Sequence, residues 1–292
     1  MEYLPELEEL KLLLPGAAAA ALLLLLAGIS QGKSRGTAVL LAAFAFAVSH
    51  VATFVVIKGW PSRPLSSSER AVCCVIAFAF GATVIELFHS SRSVRSVIRY
   101  ALCAGTVGYV LETFWTRGSG DAGHVSTVFA LILVGGIMVW WVALEEVATR
   151  VKGPALPAAL CLAFGALGLI LAAYGAASLG QLAGGAAMTA GLSVLLVRWL
   201  PGSGVPVAAT GTLAGVAAAI GLDASFFMQT PPRLGVFALL LLAPLGVVVG
   251  SVPLLSSRPA VRFLVRMTPV VIAVGVAIWL AAAGAPEPDP YR

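Results

Sequence analysis

Ionisable side chains inside long apolar stretches are the residues of this chain that could carry chemistry. Between positions 81 and 112, Glu86 and His89 lie inside or at the end of one apolar run, and Glu112 lies inside the next. Inserting a charge at the centre of a bilayer costs roughly 2.5–3.5 kcal/mol, so such residues usually face the interior of a bundle or water. We therefore expect these groups to hold a proton, an ion or a polar part of a substrate.

His50, Glu112 and His124 form a second set of candidates near one membrane face. By helix rise, His50 lies about 10 Å inside the end of its helix, Glu112 about 4–5 Å inside its own, and His124 begins the next helix. We predict that at least two of these side chains lie within about 8 Å of each other, close enough for a bridging water or ion. The alternative is that a nearby hydroxyl, carbonyl or interfacial water satisfies each group.

Arg92, Arg95 and Arg99 recur at helical spacing where two apolar runs meet. This pattern predicts contacts with anionic lipid headgroups, and the alternative is that the arginines only fix the topology. The four cysteines include no C-x-x-C pair, so the sequence indicates no metal site and no cofactor.

Composition determines the class of the elements that position these groups. Hydrophobic residues make up 60% of the 292 and charged residues 11%, against roughly 45–50% and about 25% in soluble domains. The apolar runs approach the ~20 residues that a spanning helix needs. The sequence therefore predicts an all-α integral membrane protein with short loops.

The apolar runs, with Pro and Gly between them, predict ten transmembrane helices preceded by an amphipathic surface helix at residues 2–11. Pro244 is expected to kink the ninth helix. The predicted spans are 12–30, 36–57, 70–89, 97–115, 124–145, 155–175, 181–200, 205–222, 234–254 and 267–284.

The chain divides on these grounds into four segments: an amphipathic segment at 1–11, a first five-helix half at 12–146, a second half at 147–284 and a tail at 285–292. The intramembrane polar residues fall in the first half. The second half carries three Gly-x-x-x-Gly pairs, which predict close helix packing and, as an alternative, a homodimer seam. The pairs begin at Gly180, Gly211 and Gly246.

The distribution of basic residues predicts the orientation. Of the 18 Lys and Arg residues, 11 fall on one side of the predicted spans and 7 on the other. The positive-inside rule places the larger group in the cytoplasm, so both termini face outward. Trp140 and Trp141 then fall near the inner interface, where aromatic residues are enriched. Ala-, Gly- and Arg-rich usage favours a bacterial inner membrane.

Two apparent nucleotide motifs lack the required context. Residues 27–34 fit a relaxed P-loop pattern, and 118–123 fit the Gly-x-Gly-x-x-Gly fingerprint. Both motifs work at the start of a helix that follows a strand, whereas here they join apolar helices. We predict no nucleotide partner. The net charge of +5 is spread over short loops, so we predict no nucleic-acid partner either.

Arg35-Gly36 at the start of the second helix, with His50 later in that helix, resembles the membrane acyltransferase-3 family. An Arg-Gly and a His share an early helix in that family, although the spacing here is shorter by about one turn and the family's chains are longer. This resemblance implies a membrane-embedded transferase.

The sequence thus favours a multi-pass membrane protein that moves a small solute or ion through its first-half bundle. A non-catalytic subunit or scaffold of a membrane complex is the first alternative, and an acyltransferase-like enzyme is the second. The expected partners are membrane lipids, with a homodimer or a larger membrane complex as a further alternative. An enzymatic role is the less favoured interpretation.

Overall fold

The structure, a computed structural model, describes residues 7–30, 34–60, 65–87, 91–112, 127–199, 207–228, 231–251 and 259–284. Within these ranges all regular elements are helices, so the predicted all-α class is confirmed. A 3₁₀ helix, Ala243–Ser251, continues α9. The α-helices are α1 (Leu7–Ser30), α2 (Arg35–Lys58), α3 (Ser67–Leu87), α4 (Arg92–Val110), α5 (Thr127–Arg150), α6 (Ala155–Ala173), α7 (Ala177–Trp199), α8 (Val207–Phe227), α9 (Leu234–Leu242) and α10 (Pro259–Gly284).

Seven helices in the described ranges are long and apolar enough to cross a membrane, namely α2, α3, α5, α6, α7, α8 and α10. The protein is therefore a multi-pass membrane protein. The predicted number of ten spans is not supported. The apolar stretches 14–30 and 234–248 are shorter, and α4 contains Arg92, Arg95 and Arg99 within its first eight residues.

The N-terminal helix also differs from the prediction. It runs without a break from Leu7 to Ser30, with Pro15 inside it, so residues 7–11 form no separate surface helix. Residues 1–6 of the predicted amphipathic segment lie outside the described residues.

Two helices extend beyond their predicted bounds and therefore include polar residues. The fourth helix begins at Arg92, where the Ser91 hydroxyl accepts from the Val94 amide at 3.4 Å, so Arg92 and Arg95, which precede the predicted span, also lie in α4. The eighth helix continues to Phe227 instead of ending at 222. This extension places Asp223, expected in an outer loop, inside α8.

The helix α8 lies at the centre of the bundle. Within its most apolar 18-residue stretch, 89% is buried. It packs on α2, α3, α4 and α5. Its glycines allow this approach, since a Cβ at Gly211 would lie 2.5 Å from Trp141 and one at Gly215 would lie 2.7 Å from Phe78. A helix of the predicted second half therefore lies among helices of the first, and the division into two halves stays a prediction.

The other two Gly-x-x-x-Gly pairs also serve contacts within the chain. Gly180 faces Gly168 across the hairpin of α6 and α7, where an added Cβ would approach the Gly168 carbonyl to 2.6 Å. A Cβ added at Gly246 would lie 3.2 Å from the Cβ of Pro269 on α10. These contacts are the close helix packing that the motif favours.

The ninth helix changes from α to 3₁₀ geometry at Ala243, beside Pro244. In a 3₁₀ helix the Leu241 carbonyl would accept from the amide of residue 244, but proline has no N–H. The Trp140 indole of α5 donates to this carbonyl instead, at 2.6 Å. The predicted disturbance at Pro244 therefore takes the form of a change in helix type.

Candidate functional site

A buried carboxylate lies where α2 ends, α3 begins and α8 ends, at what we call the Asp223 end of the bundle. Asp223 is 4% exposed. Ser67 donates its hydroxyl to Oδ1 at 3.0 Å, and Ser68 donates to Oδ2 at 2.7 Å. No Lys or Arg nitrogen of the described residues lies within ion-pair distance of this carboxylate. Hydroxyl groups therefore provide its local stabilisation.

Lys58 supplies a positive charge one step removed from Asp223. Its Nζ donates to the Ser68 hydroxyl at 3.0 Å and lies 5.8 Å from the centre of the Phe54 ring. Ser68 thus lies between the ammonium and the carboxylate. This arrangement leaves the two charges close without a direct ion pair.

The start of α3 explains why two serines face Asp223. Ser66 and Glu69 form a capping box, in which the Ser66 amide donates to the Glu69 carboxylate at 2.5 Å and the Glu69 amide donates to the Ser66 hydroxyl at 3.4 Å. The helix therefore begins at Ser67, and Ser67 and Ser68 occupy its first turn beside the end of α8.

Glu112 lies at the same end of the bundle but belongs to a separate pair. Its carboxylate lies 2.6 Å from the Arg70 guanidinium, and the Glu112 side chain is 49% exposed. Arg70 also donates to the Tyr109 carbonyl at 3.3 Å and lies over the Tyr109 ring. These contacts join the start of α3 to the end of α4 and place Glu112 at the rim of the bundle.

The opposite end, which we call the Glu145 end, contains a direct ion pair. Arg99 of α4 pairs with Glu145 of α5, and its guanidinium carbon lies 5.4 Å from the centre of the Trp141 ring. Trp140 and Trp141 are both buried within the bundle, and their position near the inner interface stays a prediction. Trp141 reaches the core because Gly211 of α8 leaves space for its ring.

Glu86 lines a small crevice at the Glu145 end, together with Glu145 and Trp141. The first residues of α8, Val207 and Ala208, close its other side. Its volume is about 10 Å³, which is room for about one water molecule. The crevice therefore admits a proton or a water and excludes larger solutes in this conformation.

The structure describes two residues of the predicted outer set, His50 and Glu112. His50 is buried, at 2% exposure, and its Nδ1 has no hydrogen-bond partner among the described residues. It belongs to α2, which packs mainly on α1, α3, α7 and α8, whereas the α4 helix before Glu112 packs on α3, α5 and α8. His124 and His89 lie outside the described residues. Their proximity to other groups stays a prediction.

The three arginines of α4 occupy different environments. Arg92 is exposed, Arg95 is half-buried, and Arg99 is buried in its ion pair with Glu145. Contact with lipid headgroups stays a prediction, and only Arg92 presents a largely exposed side chain for it.

Sequence reasoning missed Asp223, Ser68, Lys58 and Arg70. Asp223 was placed in a loop because the apolar run ends at Leu222. A signal was available: Thr212, Val216, Ala219 and Asp223 recur at helical spacing, and this favours a helix that includes Asp223. The Ser66-x-x-Glu69 capping box was a second signal, since it fixes the start of α3.

Within the described residues, no three His, Cys, Asp or Glu side chains lie close enough together to hold a metal ion. Comparisons of the chain with models of protein families, with curated proteins and with solved structures find no match. Conclusions about function therefore rest on the residues described above.

Proposed function

We propose that the protein moves a small solute or ion across the membrane, and that Asp223 is the binding group at one end of the route. The observation that carries this proposal is a carboxylate, 4% exposed, at the end of the most buried helix and held by hydroxyls. Intramembrane ionisable residues usually mark pathways for ions, protons or substrates. Ser68 and Lys58 are its partners in binding.

The route follows the seam between α2 and α8. Polar groups occur at both ends of α8, with Asp223 at one end and the crevice of Glu86 and Glu145 at the other. Between them, the Thr212 hydroxyl donates to the Ala43 carbonyl of α2 at 2.6 Å. A route through the bundle needs such groups, because a dehydrated ion or solute must exchange water for protein partners.

We further propose that the Asp223 end faces outward and the Glu145 end faces the cytoplasm of a bacterial inner membrane. The excess of basic residues on the Glu145 side supports this orientation. This orientation implies that both termini face outward. It also implies that α1, α4 and the combined α9 and 3₁₀ segment cross the membrane, which with the seven spanning helices makes ten crossings. Arg92 then faces the inner leaflet, where an exposed guanidinium attracts anionic headgroups.

A second function, a non-catalytic subunit of a membrane complex, is favoured by one observation. The crevice at the Glu145 end has room for about one water, and α8 is almost entirely buried. A bundle sealed in this way suits a structural role. Among the described residues, no contact favours the transferase.

Cysteine accessibility tests the proposal without knowledge of the cargo. Cys73, Cys74, Cys103 and Cys161 are first replaced, and single cysteines are then introduced at Ala219 or Ala214 of α8. Ala219 is 1% exposed and lies on the Asp223 face. Ala214 is 0% exposed and lies nine residues before Asp223, on the opposite face. A membrane-impermeant, cationic methanethiosulfonate is applied to whole cells.

We expect Ala219→Cys to react and Ala214→Cys to remain unmodified, because transport opens the seam on one face of α8 only. Prior treatment with a permeant thiol reagent under denaturing conditions confirms that both thiols are present. If neither position reacts from either side of the membrane, the transport proposal fails and the subunit function takes its place.

A further inference from the structure

The His50 imidazole combines nearly complete burial with an unpaired ring nitrogen. It is 2% exposed, and its Nδ1 has no hydrogen-bond partner among the described residues. A buried polar atom without a partner costs about 1–3 kcal/mol. Burial of an imidazole whose Nδ1 has no partner among the described residues points to a role beyond packing.

Two helix faces place His50 near Asp223. On each face the residues recur at the i, i+4, i+7, i+11 spacing of a single helical stripe. The bond from Thr212 to Ala43 joins one end of these faces, and the chain of bonds from Asp223 through Ser68 to Lys58 joins the other. The α2 face consists of Ala43, Ala47, His50 and Phe54, and the α8 face of Thr212, Val216, Ala219 and Asp223.

The Thr212–Ala43 bond sets the register of the two faces, and the bonds from Asp223 through Ser68 to Lys58 show that α2 and α8 run in the same direction. In this register His50 is level with Ala219, and Asp223 lies four residues further along α8, an offset of about 6 Å along the helix axis. A small residue opposite the imidazole leaves the ring unobstructed by a bulky side chain on α8. The depth difference is one that a single water can bridge.

Hydroxyl groups flank His50 on its other side. Thr189 of α7 donates to the Ser49 hydroxyl at 2.7 Å, and Ser49 donates to the Gly185 carbonyl at 3.4 Å. At 100° per residue, His50 falls between the Ser49 edge of α2, which meets α7, and the Ala43 edge, which meets α8. The ring therefore faces the junction of three helices.

We infer that the transported or coupling ion is a proton, which passes between Asp223 and Nδ1 of His50 through one water molecule. The inference rests on the proposed transport function and names its ion. A protonated Asp223 gives its proton to the water, the water gives one of its own to Nδ1, and the products are a carboxylate and an imidazolium. Release of the imidazolium proton toward the Glu145 end restores neutral His50.

The other described charged residues near His50 are engaged with other groups or lie away from the ring. Asp223 is therefore the acidic partner in this relay. From α3, Glu69 bonds the Ser66 amide and Arg70 pairs with Glu112. Positions 14–30 of α1 carry no charged residue. The charged residue of α7 is Arg198, which lies near the C-terminus of that helix, beyond Gly185 and Thr189. On α2 itself, Lys58 bonds Ser68 and lies two turns beyond the ring.

Nitrogen NMR of His50 in liposomes tests the relay, because the chain has only three histidines. With His89→Gln and His124→Gln in place, uniformly ¹⁵N-labelled histidine reports on His50 alone. The spectra are recorded at about pH 5 and about pH 8, on either side of the usual histidine range. Companion samples carry Asp223→Asn, Asp223→Glu or the distant control Glu146→Gln.

We expect the ring to protonate reversibly, and we expect Asp223→Asn to reduce the protonated fraction at the lower pH about tenfold, because a nearby carboxylate stabilises an imidazolium. Asp223→Glu and Glu146→Gln should leave that fraction within twofold of the parent. A single neutral signal at both pH values would overturn the relay, as would a response unaffected by Asp223→Asn. Reactivity at Ala219→Cys would separate that failure from failure of the transport proposal.

Discussion

The two ends of the bundle stabilise their carboxylates in different ways. At the Glu145 end, the carboxylate meets Arg99 directly, and the guanidinium also packs against Trp141. At the Asp223 end, the carboxylate accepts two hydroxyl hydrogen bonds, and the nearest described ammonium, on Lys58, bonds Ser68 instead.

This difference separates a structural role from a binding role. A direct buried ion pair leaves an uncompensated charge when one partner is removed, so it fixes the position of both helices. A carboxylate held by hydroxyls can gain a proton or a cation without losing an ionic partner. The account therefore assigns stability to the Glu145 end and chemistry to the Asp223 end.

The largest expected effect is on stability at the Glu145 end. Arg99→Ala should lower the free energy of unfolding by about 3–5 kcal/mol, since it leaves Glu145 charged and unpaired in a mostly buried position. Unfolding in mixed detergent micelles, followed by tryptophan fluorescence, measures this change. The matched control is Arg150→Ala, which breaks the exposed pair with Glu146 and should cost at most about 1 kcal/mol. Equal losses would remove the distinction.

Gly211→Ala tests whether the packing of Trp141 also belongs to the structural end. The added Cβ would lie 2.5 Å from the ring, so we expect a loss of about 1–3 kcal/mol from overpacking. Gly135→Ala on α5 is the control, because nothing lies within 4 Å of its added Cβ and alanine favours a helix by about 1 kcal/mol. A loss confined to Gly135→Ala would show that the packing around α8 is described incorrectly.

Paired neutral substitutions compare the two ends directly. Glu145→Gln should lower the free energy of unfolding by about 2 kcal/mol, because Arg99 loses its anionic partner while remaining buried. Asp223→Asn keeps an acceptor for the serine hydroxyls and removes a buried charge, so it should change stability by less than about 1 kcal/mol. The same micelle titration serves both variants. A larger loss for Asp223→Asn would make the Asp223 end structural as well.

The smallest expected effect concerns Trp140. Its indole donates to a backbone carbonyl of α9 rather than to a charged group. Trp140→Phe should cost about 1 kcal/mol through loss of the bond to the Leu241 carbonyl. In a Pro244→Ala background residue 244 regains an N–H for that carbonyl, so the same substitution should cost less. A double-mutant cycle measures the difference. Identical costs in both backgrounds would show that Pro244 does not leave the carbonyl unpaired.

The sequence predicts the helix locations well because apolar runs and Pro-Gly punctuation mark each one. It predicts the change at Pro244 and the close packing of Gly211 and Gly215, since both follow from local geometry. It does not predict the partner of Glu112. Arg70 belongs to another helix, and periodicity does not show which helices meet.

The candidate site was less predictable than the fold. Burial of Asp223 depends on one extra turn of α8, because the predicted span ended with the apolar run at Leu222. The same reasoning began the fourth helix at 97, after Arg92 and Arg95, and counted ten spans, although the described residues contain seven qualifying helices. His50 is buried, and its role as a site residue stays a prediction.

Infrared spectroscopy of Asp223 tests the central claim most directly, namely that solvent reaches this carboxylate in the membrane. Difference spectra are recorded in liposomes before and after a step in external pH, for the parent protein and for Asp223→Asn. We expect the parent to show a carboxyl band that appears on acidification, shifts in deuterated water and is missing in Asp223→Asn. Identical difference spectra for the two proteins would contradict the account, because they would show that Asp223 is sealed from both sides of the membrane.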